Sequence, residues 1–202
     1  MINMIELGKA EFIGKGEHKA CYVHPEDKNI CIKVPYSLPD VDIEKELKYR
    51  SILKKQGKEP SLLTKYLGTV ETDQGTGYQF ELVRDFDGAV SKDMLYLLAH
   101  PLELQTVYGV DSLELLRRFR KVWLGEAVVT SDVDFGNYYV QRISADNFVV
   151  RIIDNIGTPA HLPLVYYFHF LAVRRAKRRW RRLIDAVISC EFGTREQVKD
   201  LY

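Results

Sequence analysis

The chain has 202 residues, of which 46% are hydrophobic and 28% are charged. This composition is typical of a globular protein and excludes disorder, collagen and coiled coil for the chain as a whole. The length suits one domain or two small, closely joined lobes. The formal net charge is +1, yet seven of the nine residues from 174 to 182 are Arg or Lys and none is acidic. The remaining 22 basic and 28 acidic residues carry a charge of −6, so we expect one basic element on a mildly acidic body.

The cysteines and the apolar stretches bear on the location of the protein. The three cysteines are an odd number and form no CxxC pair, which indicates neither a disulfide framework nor a zinc knuckle. The first nine residues contain Glu6 and lack an apolar core, so we expect no secretory signal. The longest apolar stretch, 162–173, has 12 residues and is too short to span a bilayer. We therefore expect a soluble, cytoplasmic protein with reduced thiols.

The first third of the chain predicts strands and turns followed by a helix. Two glycines between apolar segments, Gly14 and Gly16, indicate a strand–turn–strand hairpin. A short β-rich run over 30–34 should stop at Pro35. The spacing of apolar and charged residues over 42–55 then predicts an amphipathic helix.

A second hairpin is predicted in the middle of the chain. Residues 67–72 and 78–83 alternate as strands do, and they flank the glycine-rich turn 73–77. Helices are predicted after this hairpin, over 91–99 and 111–126.

The last third combines two short strands with a long helical segment. The strands are predicted at 138–140 and 148–153, beside a loop around Asp132. After Gly157 the pattern is helical over 164–189.

Four individually common features occur along the chain in one order. Gly14 and Gly16 lie in a strand turn, Lys33 ends a β-rich run, and Glu46 lies on the next helix. The fourth feature is a late set of polar residues, comprising Asp132, Asn137 and Asp154. A lone pair of glycines is usually a tight turn, and a lone lysine is usually a surface residue. The four features become informative because they occur together in a particular order.

That order is the one found in protein kinases. In kinases a Gly-rich turn covers the ATP phosphates, a strand lysine pairs with a helix glutamate, a loop carries Asp and Asn, and a final Asp binds Mg²⁺. Here Asp132 and Asn137 are five residues apart as required, and Asp154 follows an apolar strand. We therefore predict an α+β, protein-kinase-like fold of two lobes. A β-rich, nucleotide-binding N-lobe would cover 1–84, and a reduced, mostly helical C-lobe would cover 85–202.

Short segments over nearly the whole chain carry a resemblance to a known family. They are Gly14-x-Gly16, residues 21–27, 31–33, 46–49, 68–73, 75–78 and 85–88, Val129-Thr130 ahead of Asn137, and residues 154–157. In these segments the chain resembles the YrbL family of bacterial, PhoP-regulated, protein-kinase-like proteins. The resemblance implies a kinase-like fold in a cytoplasmic bacterial protein whose substrate is poorly defined.

Phosphoryl transfer depends on positioning and on charge stabilisation, which suggests roles for the candidate residues. Lys33 would act as a catalytic residue that neutralises charge on the α- and β-phosphates. Glu46 would hold this lysine in place, with Glu44 as the rival partner. Asn137 and Asp154 would supply oxygen ligands to Mg²⁺. The expected cofactors are therefore ATP and Mg²⁺.

The remaining candidates would bind the acceptor and the nucleotide. Asp132 would orient or deprotonate an acceptor hydroxyl, on a protein Ser/Thr or on a small cell-envelope molecule. Gly14 and Gly16 would cover the phosphates. The backbone of a hinge would bond the adenine edge, and this hinge comprises Leu82, Val83 and Arg84.

Departures from the kinase pattern leave a second function open. Thr130 and Ser131 replace the usual His-Arg before the loop aspartate, and Asp134 stands where a cation is common. Lys19 replaces a third loop glycine, and no A-P-E segment follows residue 157, so we expect no phosphorylation-controlled activation loop. Either Asp132 or Asp134 could face the acceptor. The alternative function is a catalytically degenerate pseudokinase that acts as a regulatory binding module through its basic helix.

The basic block, Arg174–Arg182, is predicted to lie on a helix. Trp180, Ile184 and Val187 form an apolar stripe at helical spacing, which indicates a helix packed on a core with a solvated basic face. The block is equally suited to an anionic acceptor, such as a phosphorylated lipid or sugar, or to an anionic membrane surface. No nucleic-acid-binding motif accompanies the charge, so nucleic acid is not an expected partner.

Overall fold

The computed structural model describes residues 4–158 and 164–202. The chain divides into two compact units, Met1–Val41 with Thr64–Arg84, and Asp42–Leu63 with Asp85–Tyr202. The sequence-based division after residue 84 assigns residues 42–63 to the first half, whereas the structure places them in the second unit.

Within the described residues, the first unit is built on one antiparallel sheet of five strands in the order β1-β2-β3-β5-β4. The strands are β1 (Phe12–Lys15), β2 (Lys19–Val23), β3 (Ile30–Pro35), β4 (Tyr66–Thr72) and β5 (Gly75–Glu81). The central strand β3 is buried over almost its whole length, because it has a neighbour on each side. Side chains alternate between the two faces of a strand. Cys31 therefore packs with Val23 and Phe80 on one face, while Ile32 packs with Leu7 on the other.

The hairpin between β4 and β5 has a shorter turn than the sequence predicts. Thr72 pairs with Gly75, so the turn consists of two residues rather than five. Gly77 therefore lies within β5, where a Cβ atom would stand 2.5 Å from Cγ2 of Ile32. The missing side chain at this position leaves room for Ile32 of the core.

The second unit contains a three-stranded antiparallel sheet and six α-helices in the described part of the chain. The strands, in the order β6-β7-β8, are β6 (Lys92–Asp93), β7 (Tyr138–Ser144) and β8 (Asn147–Ile152). The helices are α1 (Val41–Lys55), α2 (Met94–Ala99), α3 (Pro101–Tyr108), α4 (Ser112–Glu126), α5 (Leu164–Tyr167) and α6 (His169–Ser189). The structure is therefore a mixed α+β protein with antiparallel sheets, as the sequence predicts.

Local sequence signals account for several helix ends. The carboxylates of Asp93 and Asp111 accept hydrogen bonds from the third residue after them and so cap α2 and α4, each at 2.8 Å. Helix α3 was not predicted, although Pro101 at its first position and Gly109 in a left-handed conformation at its end are typical helix boundaries. The predicted helix over 164–189 is interrupted at Phe168, which has an extended backbone.

The core of the second unit is centred on four aromatic rings from α4, β7 and α6. Phe119 lies 5.1 Å from Trp123 and 5.8 Å from Trp180, measured between ring centroids. Tyr138 lies 5.7 Å from Trp123. The indole N–H of Trp180 donates to the carbonyl of Leu201 at 2.6 Å, so the end of the chain is held against this core. Among the described helices, none combines the length and apolarity needed to cross a membrane.

Candidate functional site

The residues singled out from the sequence fall in both units. The first unit holds Gly14, Gly16, Lys33, Leu82, Val83 and Arg84, and the second holds Glu46, Asp132, Asn137 and Asp154. Each group is described within its own unit.

Gly14 lies on β1, and Gly16 lies in the turn between β1 and β2. Gly14 pairs with Cys21, and the N–H of Gly16 donates to the carbonyl of Lys19 at 2.9 Å. Neither glycine has a left-handed backbone, and a Cβ atom on Gly14 would meet no heavy atom within 4 Å. At Gly16 the nearest atom would be 3.9 Å away. The turn itself does not require glycine, so the open space beside it is available to a ligand.

Lys33 is a buried cation, with 6% of the residue exposed. It lies on β3, and its Nζ stands 4.6 Å from the ring centroid of Phe80, a cation–π distance. The thiol of Cys21 hydrogen-bonds to Cys31, which lowers the pKa of Cys31, and the Lys33 ammonium lowers it further. Fully buried lysines are rare unless they are paired. The contact of Lys33 with phosphate stays a prediction.

The hinge residues follow directly after β5. Leu82 and Val83 are buried, and the N–H of Leu82 donates to the carbonyl of Asn29 at 2.7 Å. The guanidinium of Arg84 donates to the carbonyl of Lys28 at 2.7 Å. A hinge that bonds adenine needs available backbone groups, and this role of residues 82–84 stays a prediction.

Glu46 is the buried glutamate of α1, with 2% of the residue exposed, whereas Glu44 is exposed. The Oε1 of Glu46 accepts a hydrogen bond from Nε of Arg50 at 2.8 Å and lies 2.6 Å from Nη2 of the same guanidinium. This i,i+4 pair neutralises the buried carboxylate inside the second unit. The pairing of Glu46 with Lys33 stays a prediction.

The segment that leads to Asp132 runs beside the segment that follows Asp154. The N–H of Ser131 donates to the carbonyl of Asn155 at 2.7 Å, and the N–H of Gly157 donates to the carbonyl of Val129 at 2.8 Å. Two unusual backbone conformations shape the second segment, with φ of 57° at Asn155 and 89° at Gly157. Glycine adopts a positive φ without steric cost, and asparagine tolerates it better than most residues. The two backbone hydrogen bonds therefore join the two segments behind the loop.

The two predicted metal ligands lie at the same end of the β7–β8 hairpin. The carbonyl of Asn137 accepts from the N–H of Ile153 at 3.0 Å, so Asn137 stands opposite the residue before Asp154. The Asp154 carboxylate accepts from the N–H of Asn155 at 2.9 Å. An amide and a carboxylate are both suitable ligands for Mg²⁺. Across residues 4–158 and 164–202, no three His, Cys or acidic side chains form a metal cluster, so an ion here would need phosphate and water oxygens as well.

The structure distinguishes the two aspartates of the loop. The Asp134 carboxylate accepts from the N–H of Gly136 at 2.9 Å and caps the short 3₁₀ helix Phe135–Asn137. The side chain of Asp132 is 69% exposed. Both residues are exposed, so they differ in their contacts and not in their accessibility: the Asp134 carboxylate caps the turn, and the Asp132 carboxylate lies beyond it.

Two arginines of α6 hold this loop, and sequence reasoning missed them. Arg175 donates from Nε to the carbonyl of Thr130 at 3.1 Å. Arg179 donates to the carbonyl of Ser131, and its Nη1 lies 3.4 Å from Oδ1 of Asp132. Burial lowers the pKa of both guanidinium groups, and neighbouring arginines lower it further. The sequence signal for their inward position is that the two arginines are four residues apart and adjoin the apolar stripe of α6. The basic block as a whole nevertheless predicts a solvated face.

A lysine of α1 approaches the same loop. The Nζ of Lys45 lies 2.5 Å from the carboxylate of Asp42 and donates to Oγ of Ser131 at 3.1 Å. Its side chain is only 9% exposed. Asp134 stands where the kinase pattern commonly has a cation. Two largely buried cations from other elements, Lys45 and Arg179, contact the loop instead.

Comparison with known proteins gives the family. Residues 5–187 of the chain match the family model described as PhoP regulatory network protein YrbL. Two curated relatives, both named "Uncharacterized protein YrbL", come from Escherichia coli (strain K12) and Shigella flexneri. Each is 34% identical over 185 residues, which cover 90% of this chain and 87% of the relative. The chain belongs to the YrbL family, so the predicted family is confirmed.

Proposed function

We propose that this protein is an ATP-dependent phosphotransferase with a two-lobed, protein-kinase-like fold that acts on a hydroxyl group. The acceptor would be a protein Ser/Thr or a small cell-envelope molecule, and the reaction would take place in the bacterial cytoplasm. When ATP and Mg²⁺ are bound, they supply the phosphoryl group and neutralise its charge.

The observation that carries this proposal is the support of Asp132. Its carboxylate projects into solvent, while the loop behind it is held by Arg175, Arg179 and the Asn155 carbonyl. A group that orients an acceptor must be accessible and must also be fixed in place. This combination favours Asp132 as the residue that orients or deprotonates the acceptor hydroxyl.

The other roles follow from the local geometry in each unit. Asn137 and Asp154 would hold Mg²⁺ at the end of the β7–β8 hairpin. Lys33 would bind the α- and β-phosphates. The open turn at Gly14 and Gly16 would cover the phosphates, and the hinge at 82–84 would bond adenine.

A second function, a degenerate pseudokinase that works as a regulatory binding module, is favoured by one observation. The Asp132 carboxylate already pairs with the guanidinium of Arg179 at 3.4 Å, so a cation of the protein occupies the group that would orient the acceptor. In this alternative the loop is a stable platform for a partner rather than a catalytic site.

Calorimetric titration of ATP, with and without Mg²⁺, tests the nucleotide assignment. Lys33→Ala and Asp154→Ala should each weaken Mg·ATP binding at least about 10-fold, because each removes a charge that faces phosphate or metal. Lys65→Ala and Asp146→Ala are matched controls in exposed positions and should bind as the wild type does. No binding at millimolar ATP by the folded protein would contradict the phosphotransferase proposal.

Turnover separates the two functions. With bound Mg·ATP, we expect slow phosphate release to water that Asp132→Asn reduces about 100-fold while ATP affinity is kept. Binding without any turnover that depends on Asp132 would favour the pseudokinase.

A further inference from the structure

Helix α6 presents a continuous basic face to solvent. Its cations are Arg174, Lys177, Arg178, Arg181 and Arg182, and all five are exposed. Because an α-helix has 3.6 residues per turn, positions 174, 177, 178 and 181 lie on one side. Among the described residues, none of these side chains forms an ion pair or hydrogen bond. We call these five residues the basic face.

The other sides of α6 contact the rest of the second unit. Trp180, Ile184 and Val187 are buried in the core, and Arg175 and Arg179 hold the loop. The apolar stripe of α6 is therefore not available to a binding partner. Any ligand of the basic face must approach from solvent.

Helix α6 carries one acidic residue, Asp185, against the five cations of the basic face. The carboxylate of Asp185 is exposed and accepts a hydrogen bond from the hydroxyl of Tyr202 at 2.7 Å. The chain outside Arg174–Arg182 carries a charge of −6. Five cations against one carboxylate therefore leave this side of α6 with a net positive charge on a mildly acidic body.

An exposed apolar cluster adjoins the basic face at the N-terminal end of α6. It comprises Leu164, Tyr167, Phe168 and Phe170, whose exposed fractions are 60%, 61%, 49% and 66%. The rings of Phe168 and Phe170 are 6.1 Å apart, and the N–H of Phe168 donates to the carbonyl of Leu164 at 3.1 Å. Phe170 stands four residues before Arg174, on the same side of the helix. We call these four residues the apolar tip.

We propose that the apolar tip and the basic face together form a docking surface for an anionic lipid bilayer. The cations would contact lipid phosphates, and the apolar tip would enter the boundary between headgroups and acyl chains. Exposed aromatic side chains beside a basic helical face are the pattern that binds such interfaces. This docking goes beyond phosphoryl transfer, and it uses residues other than those that support Asp132.

Two features favour lipid over nucleic acid. The apolar tip includes the aliphatic side chain of Leu164, which contributes to a bilayer interface but has no ring to stack on a base. The apolar and basic residues are also segregated along the helix, with the apolar tip at one end. A nucleic-acid groove instead interleaves aromatic and basic side chains along the strand.

Vesicle sedimentation tests the proposal with the full chain. We expect binding to vesicles rich in phosphatidylglycerol, little binding to phosphatidylcholine alone, and weaker binding as salt is raised. Replacing Arg174, Lys177 and Arg181 together with Gln should lower the partition coefficient about 100-fold, since each basic residue near an anionic surface contributes roughly a factor of five. The matched control replaces three exposed lysines elsewhere with Gln, namely Lys54, Lys55 and Lys121.

A second pair of variants tests the apolar tip. Phe168→Ser with Phe170→Ser should weaken binding at least about 10-fold, because burial of two phenyl rings is lost. Leu95→Ser with Leu102→Ser, at exposed positions of α2 and α3, is the control and should bind as the wild type does.

Three outcomes would overturn the proposal. The first is no binding to anionic vesicles by the folded wild type. The second is equal loss of binding in the glutamine variant and its lysine control. The third is tight binding of a DNA or RNA oligonucleotide that the same arginines support, without vesicle binding. ATP titration of the same variants keeps this test separate from the proposed function, because neither the basic face nor the apolar tip belongs to the nucleotide assignment.

Discussion

Replacement of Gly157 with alanine should destabilise the second unit by about 2–4 kcal/mol. Gly157 has φ of 89°, and a Cβ atom there would lie 3.0 Å from both Cγ and the carbonyl oxygen of Lys45. It would also lie 3.2 Å from the hydroxyl of Tyr166. An L-residue in this backbone region costs roughly 1–2 kcal/mol, and the crowding adds roughly 1–3 kcal/mol. The smaller entropy of the unfolded alanine chain offsets roughly 0.4–1 kcal/mol.

A matched control is available in α4. Gly125 lies in the helix, and a Cβ atom there would meet no heavy atom within 4 Å. Gly125→Ala should therefore stabilise the protein by roughly 0.5–1 kcal/mol, since alanine is the better helix former.

Urea denaturation followed by tryptophan fluorescence measures both effects. The two tryptophans of the chain, Trp123 and Trp180, lie in the second unit, so the signal reports the unit that holds Gly157. Equal midpoints for the wild type and Gly157→Ala would refute the argument from backbone conformation and close contact. Equal destabilisation by both alanine variants would refute it as well, because only one site is crowded.

Three further predictions concern the second unit. Burial raises the pKa of Tyr49 to about 12, against about 10 in an unfolded chain, so stability should fall as pH rises from 10 towards 12, by up to about 3 kcal/mol. Tyr49→Phe should flatten that fall in urea titrations at each pH, and an unchanged slope would contradict the assignment. Trp180→Phe leaves the buried Leu201 carbonyl without its donor and leaves space in the core, so it should cost roughly 2–4 kcal/mol, with faster hydrogen exchange in the C-terminal turn; unaltered exchange there would count against it. Arg175→Met leaves the buried Thr130 carbonyl without its donor and should cost roughly 1–3 kcal/mol in thermal unfolding, unlike substitution of an exposed arginine of the same helix.

Much of the local structure could be predicted because its signals lie within a few residues. The capping aspartate Asp111 and the apolar spacing after it place α4. Alternation and glycine position indicate both hairpins of the first unit. The protein family was also predictable, since the short segments that carry the resemblance extend over nearly the whole chain.

Other features were missed because their causes are distant in sequence. The glycine at position 77 was assigned to a turn, but it is a strand residue whose absent side chain leaves space for Ile32, 45 positions earlier in the chain. Helix α3 was missed although its boundary residues are typical, because its apolar spacing is short and weak.

The candidate site shows the same division. The sequence by itself determined which residues are candidates for the proposed chemistry: Asp132 and Asn137 at their spacing, Asp154 after a strand, and Lys33 at the end of another. Only the tertiary structure decided that Arg175 and Arg179 turn inward to hold the loop, while the other five cations of the same block face solvent. The physical reason is that a helix distributes one run of charges over all its sides, and which side is buried depends on the core that the rest of the chain builds.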